Sequence, residues 1–348
     1  MPRALPAAVL ISAGLLLAGP RAGAADITTE QLHEHSALAR ALNARVHPPA
    51  PPSGVRLPPP GSPNGPPSPS GPPAPPAPAG PSWLTMLTPR AASGSVTQVL
   101  GDELSFAEVA VQSTHGLRGV PPFVTVTPAL SVLAVNEPDL AEFPPPGPDL
   151  PSRLWGVSAG FTAIMPLSEQ WIVQAGLSPG FYSDFENTSG DAFRMPGRLL
   201  GIYNRSPQTQ FTVGVVYLDR EDLSWLPALG MIHRPSSRTT LEFILPRPRV
   251  VRQLFGRDEK TGGFGYVAGE LGGGSWAIER QDRPGVPTED VVTISDLRLL
   301  AGVELRREGR VGFLAETGWA FSRDVEYESG LGDAEFGDAW LLRFGLRK

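Results

Sequence analysis

DLRLLAGVELR, residues 296–306, reads as a β-strand with two unlike faces. Its odd positions are Leu297, Leu299, Ala301, Val303 and Leu305. Its even positions carry Asp296, Arg298, Gly302, Glu304 and Arg306. A period of two sends successive side chains to opposite sides of a pleated sheet, so one face is apolar and the other ionic or small. The pattern recurs at 311–321, with Val, Phe, Ala, Thr, Trp and Phe on one face and Glu316 on the other. It recurs at 210–219, with Phe211, Val213, Val215 and Tyr217 on the apolar face, and at 155–165, with Trp155, Val157, Phe161 and Met165.

Turn-forming residues punctuate these runs at 168–170, 204–207, 235–237 and 307–309. No helical pattern intervenes, so the strands form an antiparallel meander rather than βαβ units. The expectation is an all-β, up-and-down barrel of about twelve strands, because closure removes the exposed edges of a long meander. Alternation alone does not say which face points inward. Aromatics near strand ends (Trp155, Trp171, Trp225, Trp319, Trp340, Phe321 and Phe344) match an interfacial girdle, and Gly/Ser-rich polar faces suit a crowded lumen. Both favour a transmembrane barrel with apolar residues facing lipid.

Upstream, Arg3, the apolar run at 9–18 and the small residues Ala22-Gly23-Ala24 form a cleaved export signal over 1–24. The run is too short for a membrane anchor. Residues 25–47 have roughly helical apolar spacing (Ile27, Leu38, Leu42, Val46) and form a short helical segment. In 48–81, 17 of 34 residues are proline, which excludes helix and sheet and leaves an extended, disordered tether. Its reading as a ligand for a proline-recognising module or the cell wall is secondary. The barrel domain then covers 82–348.

Composition narrows the chemistry. With no cysteine, disulfides, thiolate catalysis and zinc-thiolate sites are excluded. Net charge is −6, with 29 basic against 35 acidic residues and no basic block, which argues against nucleic acid as a partner. His33 and His35 stand two apart on the helical segment and diverge, so no metal site is expected there. No cofactor is implied. Gly156-Val-Ser158-Ala-Gly160 fits G-x-S-x-G, but alternation runs straight through Ser158 and no helix follows, unlike a nucleophile elbow. The barrel domain offers only His115 and His233 as bases. The chain is therefore not expected to be an enzyme.

Two groups are singled out. Glu270, Asp296, Arg298, Glu304, Glu316 and Arg343 fall on polar faces of late strands and form a candidate lumen charge cluster. Its two readings are a network of charges paired across the lumen, since an unpaired charge there is costly, and a selectivity site; the first is preferred because about twelve strands leave a lumen that side chains could largely occupy. Gly272-Gly273-Gly274 followed by Trp276 is read as a sharp strand bend with the indole packed at the kink, since no phosphate-binding helix follows.

WIVQAGLSPGFYSDF (171–185), VVYLDREDLSWLPALG (215–230), GYVAGELGGGSWAIER (265–280) and SDLRLLAGVEL (295–305) resemble an uncharacterised outer-membrane β-barrel family, a domain of unknown function found mainly in planctomycetes and related bacteria. The resemblance covers roughly 95–348. It implies fold and outer-membrane location, with membrane lipid and the outer-membrane assembly machinery as partners. WLLRFGL (340–346) resembles the terminal strand that this machinery reads. It implies no activity. The expected function is a structural barrel or narrow pore for small solutes; a lipid-modifying barrel enzyme and a soluble exported binding barrel are the alternatives.

Overall fold

The computed structural model describes residues 87–117, 123–136, 147–220, 222–256, 258, 260–281 and 285–348. The export signal, the helical segment and the proline-rich tether lie outside the described residues. The first strands are β1 (Leu87–Leu100), β2 (Phe106–Leu117), β3 (Phe123–Val135), β4 (Arg153–Pro166), β5 (Trp171–Leu177) and β6 (Gly180–Ser183). Then come β7 (Phe193–Arg194), β8 (Gly197–Ser206), β9 (Thr209–Tyr217), β10 (Trp225–Ser236), β11 (Thr239–Ile244) and β12 (Arg249–Gly256). The last are β13 (Gly262–Glu279), β14 (Glu289–Arg306), β15 (Gly312–Tyr327), β16 (Ala334–Phe336) and β17 (Ala339–Arg347).

Antiparallel pairing runs β1–β2–β3–β4–β5–β8–β9–β10–β11–β12–β13–β14–β15–β17 and returns from β17 to β1. This is a closed barrel of 14 strands, not about twelve. β11 and β12 are too short, and too close to Pro246 and Pro248, for alternation to register. β6 and β7 continue β5 and β8 after a break at Ser178-Pro179 and Met195-Pro196, and β16 lies on the upper part of β15.

One end of the barrel is made of tight turns. There, side-chain oxygens accept backbone N–H groups that the ladder leaves unpaired: Ser168 from Trp171 (3.1 Å), Ser206 from Thr209 (3.1 Å) and Asp258 from Thr261 (2.8 Å). We call this the turn end. The other, the loop end, carries the described connecting residues 136, 147–152, 184–192, 218–220, 222–224, 280–281, 285–288 and 328–338.

Polarity is turned inside out. Phe211, Val303 and Phe313 are 36%, 55% and 50% exposed, whereas Arg298 and Glu316 are 4% and 3% exposed. Exposed apolar side chains circle the wall from Val109 and Leu130 through Val157, Leu199, Val213, Leu229 and Val267 to Leu299 and Phe344. From Val311, just before β15, to Phe321 this belt covers about 25 Å along the axis at the usual rise and tilt of a barrel strand. Aromatic pairs stand at both edges: Trp171 with Tyr203 at the turn end, and Tyr217 with Trp225 and Trp319 with Trp340 towards the loop end.

A barrel this wide has room for a channel, but β13 crosses it. Above Ala268, where its pairing with β12 ends, β13 leaves the wall and meets β6 in parallel through Ala277 and Ser183. Asp184 N–H donates to the Ala277 carbonyl, and Asn187 Nδ2 donates to the carbonyl of Ile278. The crossing draws β13–β15, β17, β1–β4 and β6 into a narrower ring at the loop end. That ring is filled by an apolar core containing Phe106, Leu154, Trp276, Ile278, Val292 and Tyr327.

Candidate functional site: a buried ionic cluster

The alternation that makes the outer belt also sets ionic residues side by side within the lumen. Glu270 of β13 stands opposite Arg298 of β14, and Glu316 of β15 opposite Arg343 of β17. Opposite charges at facing positions are the favourable cross-strand arrangement. Asp296, two residues before Arg298, sits where the β14–β15 register shifts between Ser295 and Leu297. Arg298 grips it with two hydrogen bonds, Nε to Oδ1 at 2.5 Å and Nη2 to Oδ2 at 2.9 Å.

The pairs merge into one network. Arg298 Nη1 lies 3.3 Å from Glu270 Oε1, and Arg343 Nη2 lies 3.0 Å from the same oxygen. Arg343 Nη1 also bonds Glu316, and its Nε donates to Thr97 Oγ1 at 2.9 Å. Arg247, from the connection between β11 and β12, reaches in from the other wall. Its Nη2 is 3.0 Å from Glu316 Oε1 and its Nε 3.3 Å from Glu270 Oε2. Tyr266 donates to Glu316 Oε1 at 2.6 Å.

Three carboxylates thus face three guanidinium groups, and the cluster is neutral. Side chains of Asp296, Glu316, Arg343, Arg298 and Glu270 are between 0% and 4% exposed, against 17% for Arg247. Water is therefore almost excluded from five of the six members, and Arg247 is the member nearest to open space. Such a cluster is stable only because every charge is paired, all but Asp296 with more than one partner, since removing ions from water costs several kcal/mol apiece.

Of the six predicted cluster residues, five come together: Glu270, Asp296, Arg298, Glu316 and Arg343. Glu304 does not join them. It pairs with Arg306 at 2.8 Å in a separate layer towards the turn end, where Arg306 also stacks 4.3 Å over Phe264 and Arg249 pairs with Glu242. Arg247, Tyr266 and Thr97 were not anticipated. Parity offered a signal for Tyr266, which shares the even face of β13 with Glu270. Arg247 lies in Leu245-Pro-Arg-Pro-Arg249, where the two prolines interrupt any period-two pattern that could have marked an inward-reaching side chain.

Gly273 has φ +91°. A Cβ there would stand 1.8 Å from the carbonyl oxygen of Ile294, and one at Gly272 would stand 2.0 Å from Asp296 Oδ1. Here β13 turns across the barrel, with Trp276 buried in the apolar core just beyond. Arg220, in the β9–β10 loop, donates from Nη1 to the Gly272 carbonyl at 3.0 Å and so occupies the edge that β12 leaves free.

Residues 146–238 match a domain of unknown function, DUF6268. No curated protein matches the chain. The matched domain spans β4 to β10 and the loop-end residues leading into β4. It contains Ser158 and Arg220 but none of the ionic cluster. The stretches at 265–280 and 295–305 lie beyond it. Ser158 continues β4 opposite Ala129 and Gly180, and its hydroxyl bonds Tyr182. His115 bonds Ser113 at 3.0 Å and His233 bonds Thr209 at 3.0 Å, so both described histidines are engaged away from Ser158. No group of three or more His, Asp or Glu among the described residues is arranged to hold a metal ion.

Proposed function

We propose that this protein is an outer-membrane β-barrel whose lumen is occupied by its own side chains, with a structural role rather than that of an open pore. The inverted polarity carries the reading: a closed sheet with Val267, Leu299, Val303 and Phe313 outside, and Arg298, Glu316 and Arg343 within. In water such a belt would be a large aggregation-prone patch; in hydrocarbon it is the expected lining. Tight turns at one end, longer connections at the other and aromatic pairs at both edges of the belt support it. β17 pairs with β1 and β15 and so closes the barrel, as the strand read by the assembly machinery would.

The deciding experiment is membrane fractionation with gel mobility before and after heating. Recovery in the outer-membrane fraction, with a band that shifts on heating, is expected. Recovery of the folded protein in the soluble fraction would overturn the reading. In planar bilayers the protein is expected to be silent, because the ionic cluster is almost dry and an apolar core lies above it; steady ohmic conductance would refute the sealed lumen. Val267→Arg, at mid-height on the outer face, is expected to cost about 2–4 kcal/mol in urea unfolding from lipid vesicles. A soluble barrel would tolerate that exposed change almost without effect.

A further inference from the structure

We propose that the outer wall carries a binding site for an anionic phospholipid, with an acyl chain in a groove between β12 and β1 and the phosphate on a cation cluster at the turn end. The proposal rests on the membrane reading above. The groove has a volume of about 560 Å³, within the range of small-molecule sites, and is bordered by Val96, Phe255, Val303, Phe313, Phe344 and Leu346. Gly94, Gly263 and Ala315 keep its floor low. The ring of Phe255 lies across Gly263, where a Cβ would come within 2.2 Å of Cε1.

What distinguishes this groove from the rest of the belt is its mouth. The strands that line it end beside Asp258 and Lys260, in the turn at 307–311 and in the final residues of β17. Exposed there are Lys260, Arg307, Arg310 and Lys348, with Arg252 exposed on β12 four residues before its end. The Arg307 guanidinium lies 5.9 Å from the ring centroid of Phe313, which itself borders the groove. Lys260 Nζ, 3.3 Å from Glu308 Oε1, ties the two turns together. Against these five cations stand Asp258 and Glu308 among the described residues. Asp258 is engaged by the backbone N–H groups of Lys260 and Thr261, and Glu308 by Lys260.

The loop-end rim has the opposite sign: Asp102, Glu186, Asp191, Glu289, Glu328, Asp333 and Asp338 are exposed there, with Arg153 as an exposed cation. Charge is thus polarised along the axis, and the cations gather where the groove opens. A zwitterionic lipid would gain the groove alone, whereas an anionic one gains both parts. A second copy of this chain is a poorer occupant, because it would bring a like-charged mouth against this one.

The full chain should be floated with vesicles of phosphatidylcholine, with and without phosphatidylglycerol, then extracted and weighed by native mass spectrometry. Retention of phosphatidylglycerol over phosphatidylcholine by tenfold or more is expected. Lys260→Gln/Arg307→Gln/Arg310→Gln should erase that preference, at roughly fivefold per cation at low salt. Ala315→Trp, which fills the groove, should reduce retention of both lipids. Equal retention by the unaltered chain, an unchanged preference in the triple variant, or a lipid-free dimer would each overturn the site while leaving the membrane reading intact. Failure to float would remove that reading, and the site with it.

Discussion

Arg343→Met is expected to destabilise the barrel by about 3–5 kcal/mol, the usual cost of removing one partner from a buried ionic network. Arg343 touches Glu270 and Glu316 together, with its own side chain 1% exposed. Its loss leaves two carboxylates with their remaining cations displaced to one side: Arg298 and Arg247 on Glu270, and Arg247 on Glu316. Neither carboxylate has water to turn to. Urea unfolding in lipid vesicles, followed by tryptophan fluorescence, reads the change directly. A second variant separates charge from packing: adding Glu316→Gln to Arg343→Met removes one of the stranded charges and should recover part of the loss. Arg343→Lys should still be damaging, because a point charge cannot serve Glu270, Glu316 and Thr97 at once as the planar guanidinium does. A loss below about 1 kcal/mol for Arg343→Met would place the cluster in contact with water.

Gly273→Val is expected to cost on the order of 3 kcal/mol or more, and to appear as loss of the heat-shifted folded band. Two penalties combine. The backbone at φ +91° is a conformation that a β-branched residue strongly resists. The new Cβ would also meet the Ile294 carbonyl at 1.8 Å, a backbone atom that cannot swing aside. Gly309 supplies the control. It too has a positive φ (+65°), but a Cβ there meets nothing within 4 Å. Gly309→Ala should therefore cost only about 1 kcal/mol from backbone conformation alone. Equal effects at the two positions would mean that the crossing of β13 does not depend on close approach at Gly273.

Period-two alternation carries most of the architecture by itself. At 296–306 and 311–321 it divides outward Leu299, Val303 and Phe313 from inward Arg298 and Glu316, residue by residue, because the pleat leaves a side chain only two directions. The same rule gathers Glu270, Arg298, Glu316 and Arg343, since inward positions on neighbouring antiparallel strands must meet. It fails where the ladder is irregular. β11 and β12 are too brief to show a period, so the strand count falls short of 14. Glu304 has the right parity but lies at the wrong height, and height depends on register, which alternation does not encode.

The one-dimensional pattern therefore determined which side chains share a face, that the sheet is a meander, and that one face is ionic. Only the closed tertiary structure decided which face is the interior, and that its charges are buried against one another. Both depend on contacts between strands distant in the chain: β1 with β17, β13 with β6, and Arg247 with Glu316. A local period cannot report these, because the free energy that selects them arises only when walls of the barrel meet and exclude water from the charges between them.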